Sequence, residues 1–256
     1  KSASVSTGAK GGPAKLDRGY IGHQAAKMMQ RSKSIRRRQE EAISEKSELL
    51  REVEEQQALK LHPLMPPQGT LLRLEDVTVA YEPGHPVCQG VNLTVPRGGR
   101  VALRGRNGSG KSSLLKLICG QEIPYTGTLW RMGGLKISYV GQDASHLRGS
   151  LRDYAAELDI DLTLFQTILR KLGFQRVQFE KDISAFSAGQ KKKVLIAGSL
   201  CQQAHLYVWD EPLNYIDLMS RMQIESLLTS GGGAMLFVEH DRAFCENIAT
   251  EMVELP

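Results

Sequence analysis

A glycine-rich segment at residues 105–112 has the residue types that bind phosphate. It reads G-R-N-G-S-G-K-S and matches the pattern G-x-x-x-x-G-K-[ST]. An apolar stretch at 101–103 precedes it and another at 114–118 follows it, which predicts a strand, a loop and a helix. Glycines let the backbone N–H groups turn towards phosphate oxygens, and the helix N-terminus adds positive potential. The predicted phosphate-binding residues are Gly105, Asn107, Gly108, Gly110, Lys111, Ser112 and Ser113.

Two of these residues have specific predicted roles. The ammonium of Lys111 is expected to reach the β- and γ-phosphates of a nucleotide, and the hydroxyl of Ser112 to ligate Mg²⁺. The alternative is a glycine turn with a surface lysine. The flanking strand and helix make that alternative the weaker interpretation.

Two adjacent acids, Asp210 and Glu211, follow an apolar stretch at 205–209. Open α/β sheets bind ligands at the carboxyl ends of their strands, so these side chains are expected to face the phosphate loop. Asp210 would hold Mg²⁺, largely through water, and Glu211 would orient and deprotonate an attacking water. By themselves, adjacent acids at a strand end also fit a simple turn.

Four further features occur in a fixed order along the chain. Gln142 follows a predicted strand at 136–140, and residues 186–190 read F-S-A-G-Q and open a helix. Residues 214–217, N-Y-I-D, come shortly after the two acids, and His240 ends a predicted strand at 234–239. Each feature alone fits a surface amide, a helix cap, a turn or a strand-end histidine. Their joint presence in this order is not expected by coincidence.

With these motifs, residues 69–256 resemble the ATP-binding-cassette family. The resemblance implies that Gln142 senses the γ-phosphate and the metal, and that His240 contacts the γ-phosphate. It also implies a second cassette docked head to tail. In that arrangement Ser187 and Gly189 complete the partner's ATP site, and Asp217 lies at the dimer seam.

Three positions qualify the resemblance. Tyr81, near the end of a predicted strand, resembles the aromatic residue that stacks on adenine, although it also fits a core tyrosine. The family's usual L-S-G-G-Q is F-S-A-G-Q here, so Ala188 adds a methyl where the backbone meets phosphate. After D-E-P the family usually has Thr and His, where this chain has Leu213 and Tyr215.

The charge is unevenly distributed along the chain. Residues 1–38 contain ten Lys or Arg and one acid, Asp17, so they carry +9 in a chain with a formal net charge of +5. A basic end on a mildly acidic body predicts contact with a polyanion, most simply nucleic acid, with a solvated tail as the alternative. No apolar run is long enough to span a membrane and no signal peptide is recognisable. The chain starts at Lys1, which suggests a fragment, and its four cysteines are expected to be free thiols.

The elements that would position these residues fall into three predicted parts. Residues 1–20 form a flexible linker tip, 21–68 a long helical arm and 69–256 the nucleotide-binding domain. The apolar stripe of the arm is narrow, which predicts pairing with another helix. In the domain, alternating strands and helices predict an α/β fold with a largely parallel sheet, and the early strands predict an antiparallel β subdomain. The family resemblance adds a helical subdomain.

The arm resembles the linker of ABC-F proteins, in particular the segment D-R-G-Y-I-G-H at 17–23. This resemblance implies a cytoplasmic protein without a membrane domain, with two cassettes joined by a helical hairpin. The present chain would be the distal linker helix and the second cassette. The implied partners are the first cassette and the ribosome, reached at rRNA and tRNA by the basic arm, and the implied cofactors are ATP and Mg²⁺. The segment D-E-P-L-N-Y-I-D resembles the antibiotic-resistance branch.

Three other interpretations remain open at this point. The first is the motor subunit of an ABC membrane transporter, which needs no long basic helix in front of the cassette. The second is a DNA-repair or chromosome-structure ATPase. Its coiled coil interrupts the cassette, whereas only about 75 residues separate Lys111 from Ser187 here. The third is an ATP-gated clamp on RNA, in which hydrolysis only resets the clamp.

Overall fold

The computed structural model of the chain describes residues 63–65, 69–82, 84–231 and 233–255. The predicted linker tip (1–20), and the predicted arm (21–68) except for 63–65, lie outside these residues. Within the described part, the strands are β1 (Thr70–Glu82), β2 (His85–Pro96), β3 (Arg100–Arg104), β4 (Tyr125–Arg131), β5 (Ile137–Val140), β6 (Leu206–Asp210), β7 (Ala234–Val238) and β8 (Glu251–Glu254). The helices are α1 (Lys111–Ile118), α2 (Leu151–Glu157), α3 (Leu162–Lys171), α4 (Ala188–Cys201), α5 (Leu218–Gly231) and α6 (Arg242–Ile248), with 3₁₀ turns at Arg176–Glu180 and Ile183–Ala185.

The strands form two sheets. Strands β2, β1 and β4 pair in that order as an antiparallel sheet, which confirms the predicted antiparallel β subdomain. Strands β5, β6, β7, β3 and β8 pair in that order, all in parallel, which confirms the predicted α/β fold. Strands β4 and β8 were not predicted from the sequence.

The parallel sheet is buried on both faces at its centre. All five residues of β6 and all five of β7 are buried, as expected for parallel strands covered on two sides. On one face Leu206 and Val208 pack with α1 and the antiparallel sheet. On the other face Tyr207 and Trp209 pack with the helices after β5. The sheet therefore holds its carboxyl-terminal edge, where the candidate residues lie, between two cores.

Residues 63–65 lie against the opposite end of the sheet. They have no regular secondary structure, and the Leu64 N–H donates to the carbonyl of Ala204 at 2.9 Å, just before β6. No helix of the described residues is both long and apolar enough to cross a membrane. The four cysteines are unpaired.

Candidate active site

The phosphate loop connects β3 to α1, and Gly110 precedes the first helical residue. Gly110 has φ +82°, and a Cβ at this position would lie 2.6 Å from the carbonyl oxygen of Val87. Only glycine combines that backbone conformation with so close an approach. The β2 backbone therefore lies directly beside the start of α1, and the two enclose one side of a cleft.

This cleft has a volume of about 340 Å³ and brings together four separate segments of the chain. It is lined by Val87, Asn107, Gly108, Gly110, Lys111, Ser112, Ser113, Gln142 and Glu211. All of these except Val87 were predicted site residues. Val87 was missed because an apolar residue in a strand gives no sign of facing a ligand.

The ammonium of Lys111 is held within the loop. Its Nζ donates to the carbonyls of Gly105 at 2.9 Å and Arg106 at 2.7 Å, and the residue is buried. These charge-assisted bonds fix the positive charge at the rim of the cleft. The Gly105 carbonyl is thus part of the site although it does not line the cleft.

Three oxygen-bearing side chains meet beneath the loop. The Gln142 amide nitrogen lies 3.4 Å from both Ser112 Oγ and Asp210 Oδ1. Asp210 is 1% exposed, and burial raises the pKa of its carboxyl, while a hydrogen bond with Ser112 acts in the opposite direction. The three side chains come from α1, from the second residue after β5 and from the end of β6.

This donor set fits magnesium. Mg²⁺ takes oxygen ligands and is often bound by one or two carboxylates, with phosphate and water completing its shell. Ser112, Asp210 and the amide oxygen of Gln142 are ligands of this kind. Among the described residues, no group of three or more His, Cys, Asp or Glu is arranged so that it could hold a metal ion.

The carboxylate of Glu211 is oriented by two neighbours. Its Oε2 accepts from the Asn214 side-chain amide at 2.7 Å, and its Oε1 lies 3.4 Å from His240 Nε2. The backbone of Glu211 has φ +47°, and its N–H donates to the carbonyl of Val238 at 3.0 Å. A left-handed conformation at a non-glycine residue, held by a bond to β7, directs this side chain into the cleft.

Tyr81 lies beside the same cleft. Its phenol donates to Ser113 Oγ at 3.0 Å, and the residue is 52% exposed. The alternative of a core tyrosine is therefore wrong. The ring stands next to the loop residue that lines the cleft, where a planar base could contact it.

The other predicted residues, Ser187, Gly189 and Asp217, do not line this cleft. The Ser187 hydroxyl caps α4 by accepting from the Gln190 N–H at 3.2 Å. A Cβ on Gly189 would lie 2.4 Å from the carbonyl oxygen of Tyr215. Asp217 forms an ion pair of 2.6 Å with Lys193. These residues form a second group around the start of α4 and the segment before α5.

Two buried charged residues near the cleft were missed by sequence reasoning. Lys192, 2% exposed, donates to the Gly141 carbonyl at 2.8 Å. Glu239, 7% exposed, accepts from the N–H groups of Leu213 at 3.1 Å and His240 at 2.8 Å. Glu239 thereby joins the segment after Glu211 to the segment that carries His240. A charged residue directly after the apolar strand β7 was the available signal.

Comparison with known proteins places this geometry among nucleotide-binding domains. Residues 88–214 match the family model described as ABC transporter. The chain is 32% identical over 192 residues to the protein YdiF of Bacillus subtilis, covering 72% of the chain and 29% of that protein. It is 33% identical over 180 residues to the ribosome protection protein VmlR of the same organism, covering 68% of the chain and 32% of VmlR.

The chain therefore spans about a third of the length of these curated relatives. Among solved structures, a protein described as the ATP-binding subunit of an ABC transporter matches with a TM-score of 0.57. The two sequences are 26% identical, and the match covers 73% of this chain and 86% of the other.

Proposed function

We propose that this chain binds Mg-ATP in the cleft below the phosphate loop and hydrolyses it with Glu211 as the base. Its ABC ATPase fold supports this proposal. The observation that carries this proposal is the convergence of Lys111, Gln142 and Glu211 on one cleft. A loop for phosphate, oxygen ligands for a metal and a carboxylate for water are the parts that phosphoryl transfer to water requires.

Each residue has a distinct role in this proposal. Lys111 holds the β- and γ-phosphates, and Ser112, Asp210 and Gln142 hold magnesium, which would neutralise charge on the phosphate oxygens. Glu211 accepts a proton from the attacking water at a carboxylate oxygen, and the Asn214 amide fixes the direction of that carboxylate. His240 lies beside Glu211, and in this proposal it contacts the γ-phosphate. Tyr81 stacks on the adenine ring.

We further propose that the site is completed by a second cassette. Ser187 and Gly189 do not line the cleft of their own chain. In a head-to-tail pair, Ser187 would bind the γ-phosphate held by the partner's loop, and Asp217 would lie at the seam. The isolated chain is then a weak ATPase, since each complete site needs two cassettes.

The proposed setting of this ATPase is the ribosome, with the chain as the second cassette of an ABC-F-type protein. Support comes from similarity to VmlR, described as a ribosome protection protein, and from the basic residues of 1–38. Translation factor activity and protection from antibiotics are the two forms of this function. The competing proposal is the motor subunit of a membrane transporter, which the solved ABC transporter subunit favours.

Two variants test the ATPase proposal. Lys111→Ala removes charge-assisted contacts worth roughly 1.5–3 kcal/mol, so calorimetry with ATP and Mg²⁺ should show affinity about ten- to a hundredfold lower. Glu211→Gln keeps the shape of the side chain but accepts no proton, so it should bind ATP normally and lose hydrolysis by about 10²-fold or more. Equal affinity for wild type and Lys111→Ala, or full turnover by Glu211→Gln, would contradict the proposed roles.

The ribosomal setting is tested separately by co-sedimentation of the full-length protein with ribosomes. The Glu211→Gln variant should remain bound in the presence of ATP, because the closed pair of cassettes cannot reset. Absence of ribosome binding by an active ATPase would leave the transporter motor as the better proposal.

A further inference from the structure

Lys192 is a buried lysine on α4, one turn and a half after Ser187. The residue is 2% exposed, so its ammonium is removed from bulk water. Its Nζ donates to the carbonyl of Gly141 at 2.8 Å, and the carbonyls of Gln142 and Asp210 lie at 3.4 Å. A buried charge is costly unless it is hydrogen-bonded and balanced. Three main-chain oxygens provide the hydrogen bonds here, two from the loop after β5 and one from the end of β6.

The charge balance around this ammonium comes from the site itself. Burial lowers the pKa of Lys192, and the carboxyls of Asp210, Glu211 and Glu239 act in the opposite direction. The lysine is therefore embedded behind the acids of the cleft. It contacts only the backbone of the two segments that carry Gln142 and Asp210, so the side chains of these two residues remain available to each other.

These contacts fix the position of Gln142. Gly141 is the residue between β5 and Gln142, so a bond to its carbonyl fixes the main chain one residue before the side chain that reaches Ser112 and Asp210. The third carbonyl belongs to Asp210, the last residue of β6. One amine thus links the start of the Gln142 loop, the end of β6 and helix α4.

We propose that Lys192 is a positioning residue that holds the Gln142 loop against the end of β6 and ties both to the helix that begins at Ser187. The role rests on the proposed ATPase function. Its consequence is mechanical coupling. A shift of Gln142 when nucleotide and metal bind is transmitted through the lysine to α4. It thereby reaches Ser187, Gly189 and Asp217, which face another cassette in the proposed pair.

The first test measures the position of the loop and needs no enzymatic activity. In the ATP-free full chain, Lys192→Met removes the hydrogen bonds and keeps the length of the side chain. Hydrogen exchange of the amides at 139–145 should then be faster on the order of tenfold. Lys191→Met is the matched control, because the neighbouring lysine makes none of these three contacts, and its exchange at 139–145 should equal that of the wild type.

A second variant covers the case in which Lys192→Met does not fold because the buried acids lose their counter-charge. Lys192→Arg keeps the positive charge, but its planar guanidinium cannot replace a compact ammonium among three carbonyls. Exchange at 139–145 should also rise in this variant. Exchange that stays within about twofold of wild type in each variant that folds would overturn the proposal.

The second test is a double-mutant cycle on hydrolysis, in the assembly where the wild type is active. Lys192→Met should lower kcat on the order of tenfold and change KM by less than about threefold, as Gln142→Ala should. If the lysine acts through Gln142, the kcat of the double variant should lie within about twofold of the kcat of the slower single variant. A kcat loss in the double variant equal to the product of the two single-variant losses would overturn the proposal. A wild-type chain that never hydrolyses ATP would refute the proposed function and leave the exchange test decisive.

Discussion

Asp217 joins two helices through a single carboxylate. Its Oδ2 lies 2.6 Å from the ammonium of Lys193 on α4, and its Oδ1 accepts from the N–H of Ser220 in the first turn of α5 at 3.0 Å. The hydrogen bond and charge of Lys193, together with the bonds from Ser220, hold the pKa of Asp217 well below its usual range. The residue that the family resemblance assigns to a dimer seam therefore also has a role within its own chain.

We expect Asp217→Asn to lower the free energy of unfolding by up to about 1 kcal/mol at pH 7, since the pair is partly exposed. Asparagine can still cap α5 but carries no charge. Because the folded-state pKa is depressed, the contribution of the aspartate is complete above its unfolded pKa of about 4 and is lost as pH falls through the folded value. Denaturant unfolding should show a constant difference in the free energy of unfolding between wild type and Asp217→Asn from pH 5 to pH 8.

Below about pH 4 the gap between wild type and variant should narrow. Asp217→Ala serves as the comparison, because it removes the cap and the charge together and should cost more at every pH. A gap that widens on acidification would show that the carboxylate is not stabilised by Lys193 in the folded chain.

The residues of the site differ in how far the sequence could predict them. The phosphate loop could be predicted because its chemistry needs glycines and a lysine at fixed spacing within one segment. Lys192 could not, because residues 191–193 are all lysine and their spacing does not indicate which ammonium turns inward. The bond between Glu239 and Leu213 joins positions 26 apart in the chain, so only the packing of β7 beside β6 could show it.

At the scale of elements, α4 begins in close contact with the segment before α5. A Cβ on Gly189 would lie 2.4 Å from the carbonyl oxygen of Tyr215, a residue with φ +65°. That oxygen belongs to the backbone and cannot move away as a flexible side chain could. The absence of a side chain at position 189 is therefore required by packing within the chain, in addition to any role towards a partner.

Gly189→Ala should destabilise the chain by roughly 1–3 kcal/mol, because overpacking forces the backbone of one element to shift. Thermal unfolding of the full chain measures this loss. The matched control is Ala188→Gly, one residue earlier in the same helical turn, where we expect a change of about 1 kcal/mol or less. Equal melting temperatures for Gly189→Ala and the wild type would mean that the backbone before α5 can shift to accommodate the methyl group without loss of stability.

The strands that the sequence failed to predict are those with the least buried surface. Six of the seven residues of β4 are exposed, and β8 has four residues of which three are exposed. Both lie at a sheet edge, where side chains need not alternate between core and solvent. Strands β3, β6 and β7 were predictable because continuous burial requires continuous apolar sequence.

For the whole molecule, the charge of residues 1–38 predicts how binding to RNA responds to salt. Contacts with phosphates release condensed counterions, so log affinity should fall roughly linearly with log salt, by about one unit of slope per contact. Replacement by Gln should reduce that slope and leave ATP binding unchanged. The residues to replace are Arg31, Lys33, Arg36, Arg37 and Arg38.

A salt titration of ribosome co-sedimentation, with both versions of the full-length protein, measures this slope. These five residues lie outside the described part of the structure, so the prediction depends on sequence alone. Superimposable titration curves would make the basic segment a solvated spacer and would strengthen the transporter alternative.

The left-handed backbone of Glu211 has a consequence for protein engineering. A non-glycine residue at φ +47° costs on the order of 1 kcal/mol or more, whereas glycine or asparagine adopts that conformation with little strain. A library of this domain sorted only for heat resistance should therefore enrich Gly or Asn at position 211 and discard the carboxylate. Selection for thermostability needs a simultaneous selection for turnover, because at this position the more stable residue is the inactive one.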